Sequence, residues 1–356
     1  MTEAETTRNA DDGDEERLRR GLQEFLRAEY GSHVTVSGFA RLAGGASCDV
    51  FGFEAALEMG EVPRALVVRV DAGGRAVGSD RYREFELYKA AEAGGVRVPH
   101  ALCYGAEDAG LGRAFFVMER VGGEAIPRHL LRDPAYEHTR RVLPEQLAVQ
   151  LARTHAVDLT HAGVAPLVRE ADALGASGGL SQARAVVACW TAVLDDVGAG
   201  HPWPALAWTA RWLDRHAPAD SDRTLVHGDF RVGNALFDTE GLTAVLDWEL
   251  AHVDDPIEDL GWFCVRSWRF GADDKEAGGL CSRDEFASAY ERSGGCRVEA
   301  DRLRYWEVFC NWKWAIISIG QERAHKAGSY PNVELASIGR RVGEIEQEML
   351  NLMERF

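Results

Sequence analysis

The spacing of apolar residues changes twice along the chain and divides it into a strand-rich part and a helical part. From Glu15, the residues Leu18, Leu22, Phe25 and Leu26 recur at helical spacing and predict an amphipathic helix ending near Tyr30-Gly31. Val34 to Phe39, Cys48 to Phe53 and Ala65 to Val70 then read as three strands. A helix is predicted over Asp80 to Ala93, where Gly94-Gly95 closes it. Ala101 to Gly105 and Arg113 to Arg120 complete a set of five strands before Val121-Gly122-Gly123 breaks the pattern. Beyond that break the spacing turns helical over Leu143 to Leu159, Gln182 to Val197 and Ala205 to His216. It does so again over Leu260 to Phe270, Arg283 to Glu291, Ala300 to Ala324 and Asn332 to Phe356. The expectation is an α+β chain: a polar, acidic, flexible tail over 1–14, a sheet with a helix over 15–122, and a mainly helical part over 123–356.

Totals narrow the classes of function. With 356 residues, 46% hydrophobic and 27% charged, the chain has the composition of a soluble globular protein and ample core. No apolar run reaches membrane-spanning length and the N-terminus is acidic, so a cytoplasmic protein without a membrane partner is expected. A net charge of −17 opposes binding to nucleic acid, which rewards Lys and Arg, and permits a cationic substrate. The seven cysteines are scattered and never form a Cys-x-x-Cys pair, so reduced thiols are expected rather than a metal or redox motif.

The chemistry concentrates in His227-Gly228-Asp229-Phe230-Arg231, Asn234 and Leu246-Asp247-Trp248-Glu249. Ala235-Leu236-Phe237 and Thr243-Ala244-Val245-Leu246 read as strands joined across Asp238 to Gly241, a hairpin that brings Asn234 beside Asp247. An Asp, an Asn and an Asp then face one small volume, and hard oxygen donors of this kind suit a magnesium ion that keeps waters and phosphates as further ligands. The spacing agrees with phosphoryl transfer: a loop Asp that accepts the proton of the attacking hydroxyl, an Asn that holds metal, and a second Asp after a strand pair. The competing account makes His-Gly-Asp a tight turn. Composition produces the His-Gly-Asp and Asn pattern in only about one chain in several hundred of this length.

These residues, with Asp255-Pro256 and Asp259-Leu260, resemble the aminoglycoside phosphotransferase family of kinase-like small-molecule phosphotransferases, and within it the branch linked to acyl-CoA dehydrogenases. The resemblance covers roughly residues 34 to 320. It implies a two-lobed protein-kinase-like fold, with an N-lobe of antiparallel sheet plus helix and a mainly helical C-lobe. The activity it implies is ATP- and Mg2+-dependent transfer of a phosphoryl group to a small-molecule hydroxyl.

The resemblance also assigns roles. Asp229 would be the base and Arg231, two residues on, a cation for the transferred phosphoryl group, with Asn234 and Asp247 holding metal. Gly44-Gly45-Ala46-Ser47 lies where kinases cover the ATP phosphates, although the same residues serve equally as a plain hairpin turn. Arg69 stands where relatives carry the phosphate-binding Lys, and Glu84, with Glu86 as fallback, is its expected partner. Adenine is expected against the backbone of Glu119 to Val121. His227 and His155 are read as structural histidines, and Asp255 and Asp259 as bracing carboxylates. A substrate-shaping insertion is expected at about 160–220, where Trp190, Trp203, Trp208 and Trp212 form either core or a substrate wall. Acceptors in view are a hydroxylated metabolite or acyl compound, or an aminoglycoside-type antibiotic. The alternative is a catalytically silent nucleotide-binding module, which Arg69 in place of Lys favours, and adenylyl transfer is a third reading.

Overall fold

A computed structural model of the chain describes residues 3–42, 48–71, 80–176, 180–198, 200–328 and 337–355. Two compact units divide it: Met1–Lys89 with Val98–Val121, and Ala90–Arg97 with Gly122–Phe356.

The first unit contains α1 (Glu3–Tyr30), β1 (Ser37–Arg41), β2 (Cys48–Ala55), β3 (Arg64–Asp71), most of α2 (Arg81–Ala93), β4 (Ala101–Gly105) and β5 (Phe115–Glu119). The strands form one antiparallel sheet in the order β1-β2-β3-β5-β4. Leu18, Leu22 and Leu26 of α1 pack on one face of this sheet, against Phe51 and Phe53 of β2, Leu66, Val68 and Val70 of β3, and Phe115 and Val117 of β5. Side chains of a strand alternate in direction, so Val67 and Arg69 leave by the opposite face. Both are buried as well, so this sheet is covered on two sides and Arg69 is the one charged residue in an apolar run. α1 begins at Glu3 and takes in residues that composition alone assigns to a polar tail. Surface pairs such as Arg19 with Glu16 at 2.8 Å add little to such a helix.

The second unit is mainly helical: α3 (Pro127–Arg132), α4 (Glu137–His155), α5 (Ala165–Ala176), α6 (Gln182–Gly198), α7 (Pro204–Arg215), α8 (Ile257–Phe263), α9 (Arg283–Arg292), α10 (Ala300–Lys326) and α11 (Val342–Glu354). Two small antiparallel pairs interrupt the helices. β6 (Thr224–Val226) pairs with β9 (His252–Asp254), and β7 (Ala235–Asp238) with β8 (Gly241–Val245). α10 is the hub, burying Trp306, Phe309, Trp312 and Ile316 between α6, α8 and α11. Gly261 of α8 lets the two backbones meet, since a Cβ there would lie 2.7 Å from the Trp306 carbonyl carbon. Among the described residues no helix is long and apolar enough to cross a membrane.

Several boundaries differ from the sequence expectation. α4 starts six residues before Leu143, with a polar first turn that carries no apolar signal, and it stops at His155 because Asp158 turns the chain by accepting the Thr160 amide at 2.8 Å. The helix expected over Leu260 to Phe270 is two pieces, α8 and a 3-10 turn at Arg266–Trp268. α8 begins earlier because Asp255 accepts the Ile257 amide at 3.0 Å. The tryptophans of the 160–220 region mostly pack. Trp212 stacks on Tyr305 at 6.3 Å and Trp190 lies 5.4 Å from the Lys313 ammonium, while Trp208 is half exposed.

Candidate active site

The loop between β6 and β7 carries the motif, and a buried polar scaffold shapes it. Gly228 has φ 79°, and a Cβ there would sit 2.2 Å from the Leu250 carbonyl oxygen, so the turn tolerates only glycine. Asp259, from the first turn of α8, accepts the amides of His227 at 2.7 Å and Gly228 at 2.9 Å. His155 at the end of α4 reaches the same carboxylate at 3.1 Å, and its other ring nitrogen meets the Tyr290 hydroxyl at 2.7 Å. Burial pushes the Asp259 pKa up, but these hydrogen bonds and the nearby imidazoles outweigh it and hold the carboxyl below its ordinary value.

His227 is fully buried. Its Nε2 donates to the Leu246 carbonyl at 3.0 Å and its Nδ1 accepts the Asp229 amide at 3.3 Å, the pattern of a neutral ring. Burial lowers its pKa, against the opposing pull of the Asp259, Asp229 and Asp247 carboxylates. His227 therefore braces the loop as a neutral group.

The Asp229 carboxylate is held from three directions. Oδ1 accepts the Trp262 indole N–H at 2.8 Å, and Oδ2 accepts the Asn234 side-chain amide at 2.6 Å. Arg231 Nε lies across both oxygens at 3.0 and 3.2 Å, and its guanidinium rests 4.9 Å from the Trp268 ring. Asn234 also donates to the Asp229 carbonyl at 2.9 Å, which commits its NH2 group and leaves Oδ1 as the atom available to a cation. The Leu246 amide donates to the Asn234 carbonyl at 2.8 Å, so the end of the hairpin delivers Asp247 next to Asn234. Asp247 takes φ 72°, a left-handed conformation rare for a residue with a side chain and one that clusters at functional sites. An amide oxygen and a carboxylate at this junction match what magnesium takes from a protein, one or two hard oxygens with the rest from water and phosphate.

In the first unit Arg69 pairs with Glu84 at 3.0 Å, both buried, while Glu86 pairs with Lys89 at 2.9 Å instead. Glu84 also binds Arg81, which in turn holds Asp71 at 2.7 Å. The Glu119 carboxylate meets Arg64 at 2.9 Å, and the amides of Glu119 and Arg120 donate to His100 at 2.9 Å and Ala65 at 3.1 Å. Val121 ends this unit. Ser47 and the glycines before it lie outside the described residues.

The sequence pattern singled out neither Trp262 nor Arg81 as a site residue. For Trp262 the available signal was its place three residues after Asp259, which puts it on the same helical turn as the carboxylate that holds the loop. Arg81 carried only its position near Glu84.

A family model described as the phosphotransferase enzyme family, APH, matches residues 39–296, and the chain belongs to that family. An antiparallel sheet with a mainly helical second unit is the kinase-like architecture of its members. The chain is 29% identical over 238 residues to acyl-CoA dehydrogenase family member 11 of Pongo abelii, an alignment covering 64% of this chain and 29% of that protein. It thus spans less than a third of that relative's length. A solved Ralstonia eutropha structure with a provisional aminoglycoside phosphotransferase name superimposes with TM-score 0.70 at 22% identity, covering 94% of this chain and 98% of that one. A thermostable mutant of aminoglycoside phosphotransferase APH(4)-Ia, in ternary complex with AMP-PNP and hygromycin B, gives TM-score 0.54 at 21% identity, covering 92% and 98%.

Proposed function

We propose that the chain moves the γ-phosphoryl group of ATP to a hydroxyl of a small molecule with the help of magnesium. What supports this most is the Asp229 carboxylate, oriented by Trp262 and Asn234 on a loop that Asp259 fixes through two backbone amides. Asp229 orients the acceptor hydroxyl and takes its proton as the new phosphorus–oxygen bond forms and the bond from the γ-phosphorus to the bridging oxygen breaks, releasing ADP. The hydroxyl displaces Arg231 from the carboxylate, and the released guanidinium opposes the charge developing on the phosphoryl oxygens. Asn234 and Asp247 would hold magnesium, which when bound supplies positive charge against the β- and γ-phosphates.

Arg69, held by Glu84, is the proposed cation for the α- and β-phosphates, and Ser47 a further phosphate contact. With the amides of Glu119 and Arg120 already bonded, the backbone there offers the adenine carbonyl oxygens and the Val121 amide. The seven free thiols support a reducing, cytoplasmic setting. Acceptors to test first are hydroxylated metabolites and acyl compounds, with aminoglycosides beside them.

The test is incubation with ATP, magnesium and a pooled acceptor panel, read by product mass. Wild type adds one phosphoryl group to an acceptor and Asp229→Ala does not. A silent nucleotide-binding module, the reading that Arg69 in place of Lys favours, would bind ATP and leave every acceptor mass unchanged.

A further inference from the structure

The second unit holds a cavity of about 330 Å³, at the lower end of the range for small-molecule sites. Four arginines line it, Arg128 and Arg132 of α3, Arg266 of the 3-10 turn and Arg341 just before α11, with Asp273 and Glu344 as its acidic groups. Arg266 pairs with Asp273 at 2.9 Å and Arg341 with Glu344 at 3.0 Å. Among the described residues, Arg128 and Arg132 make neither an ion pair nor a side-chain hydrogen bond. Four cations against two anions leave a surplus of two positive charges in the wall, within a chain whose net charge is −17. Ser267 is also in the wall. It accepts the Trp314 indole N–H at 3.1 Å, which leaves its own O–H free to donate inward.

Two residues that neighbour the cavity's lining in the chain touch the Asp229 loop. Trp268, next to Ser267 in the chain, carries the guanidinium of Arg231. Pro127, next to Arg128, has its Cγ 3.9 Å from the point where a Cβ on Gly233 would stand. An acceptor with its hydroxyl at Asp229 thus has an arginine-lined cavity beside it.

We infer that this cavity seats an oxyanion carried by the acceptor, a carboxylate or a phosphate, so that the acceptor is a hydroxylated anion and not a polycation. The inference rests on the phosphotransfer reading for the identity of the ligand as acceptor. Arg128 and Arg132, with no other partner to leave, bind the oxyanion through paired N–H groups, and Ser267 adds a third donor. The acidic total of the chain favours a cationic substrate only at long range; contact is governed by the wall that the substrate meets.

The experiment uses glycerol 3-phosphate and glycerate as the phosphate and carboxylate probes, with glycerol as the neutral parent. Binding is measured by calorimetry on full-length protein saturated with AMP-PNP and magnesium, and turnover with ATP by product mass. At least one anionic probe binds about tenfold or more tightly than glycerol, and Arg128→Ala/Arg132→Ala removes that advantage. Because both side chains are exposed, the double variant keeps its thermal midpoint. Equal binding of the anions and glycerol, or anion binding untouched by the double substitution, overturns the inference. Arginine-dependent binding with no phosphorylated product from any acceptor upholds the anion site and defeats the phosphotransfer reading. Phosphorylation of neutral acceptors, indifferent to the two arginines, does the reverse.

Discussion

At the residue scale, Asp229 is defined by what touches it. Trp262→Phe removes one charge-assisted hydrogen bond while keeping most of the ring packing, and such a bond contributes about 1.5–3 kcal/mol. We expect kcat to fall about ten- to a hundredfold with the KM for ATP unchanged, measured by steady-state kinetics; an unchanged kcat would show that Trp262 does not orient Asp229. His227 gives a pH dependence. Its pKa is lowered in the folded state, whereas the unfolded ring keeps its ordinary value of 6.5. Below pH 6.5 the unfolded chain binds a proton that folded His227 refuses, so its contribution is complete above 6.5 and is lost as the pH falls, by up to about 1.4 kcal/mol per pH unit. Urea unfolding at pH 7.5 and 5.5 should therefore show a smaller pH loss in His227→Gln than in wild type. Asp229, Asn234 and Asp247, the residues proposed to carry the chemistry, stood out in the sequence because their types and spacing are restrictive. Trp262 was not, because an indole N–H bound to a carboxylate leaves the same apolar letter as any core tryptophan.

At the element scale, the site depends on how α8 lies on α10. Gly261→Ala places a methyl group 2.7 Å from the Trp306 carbonyl carbon and 2.8 Å from the Glu307 nitrogen, backbone atoms that cannot turn aside. Overpacking of this kind costs about 1–3 kcal/mol. Because the displaced helix carries both Asp259 and Trp262, we expect activity to fall further than stability, checked by pairing chemical unfolding with turnover. Intact activity in a destabilised Gly261→Ala would uncouple the helix contact from the site. The strands and the hairpin were legible from alternation and turn residues, and the sheet order needed only that neighbouring strands pair, with β5 inserted between β3 and β4. Helix ends were less legible. The first turn of α4 is polar, and the break after α8 at Cys264-Val265 carries no Gly or Pro.

At the scale of the whole molecule, burial decides which groups react. Cys189 and Cys296 are exposed, Cys48, Cys103, Cys264 and Cys310 are buried, and burial raises the Cys103 pKa to about 11 and the Cys281 pKa to about 12. A thiol titration of the native protein at pH 8 should modify Cys189 first and Cys296 more slowly, because burial of its thiol beside the Tyr290 hydroxyl raises its pKa, and the four buried cysteines only on unfolding. Rapid modification of those four would contradict the packed cores described above. The net charge of −17 was legible from composition, but the arginine-lined cavity was not, because the Arg128–Arg132 pair of α3, Arg266 and Arg341 are far apart in sequence and converge only through the packing of the helical unit. The most direct test of the central claim uses ATP labelled with oxygen-18 in the γ-phosphoryl group, with magnesium and the acceptor panel. Wild type should yield an acceptor heavier by one labelled phosphoryl group, absent with Asp229→Ala. Label that appears only in inorganic phosphate, or an acceptor that gains AMP, would contradict the account.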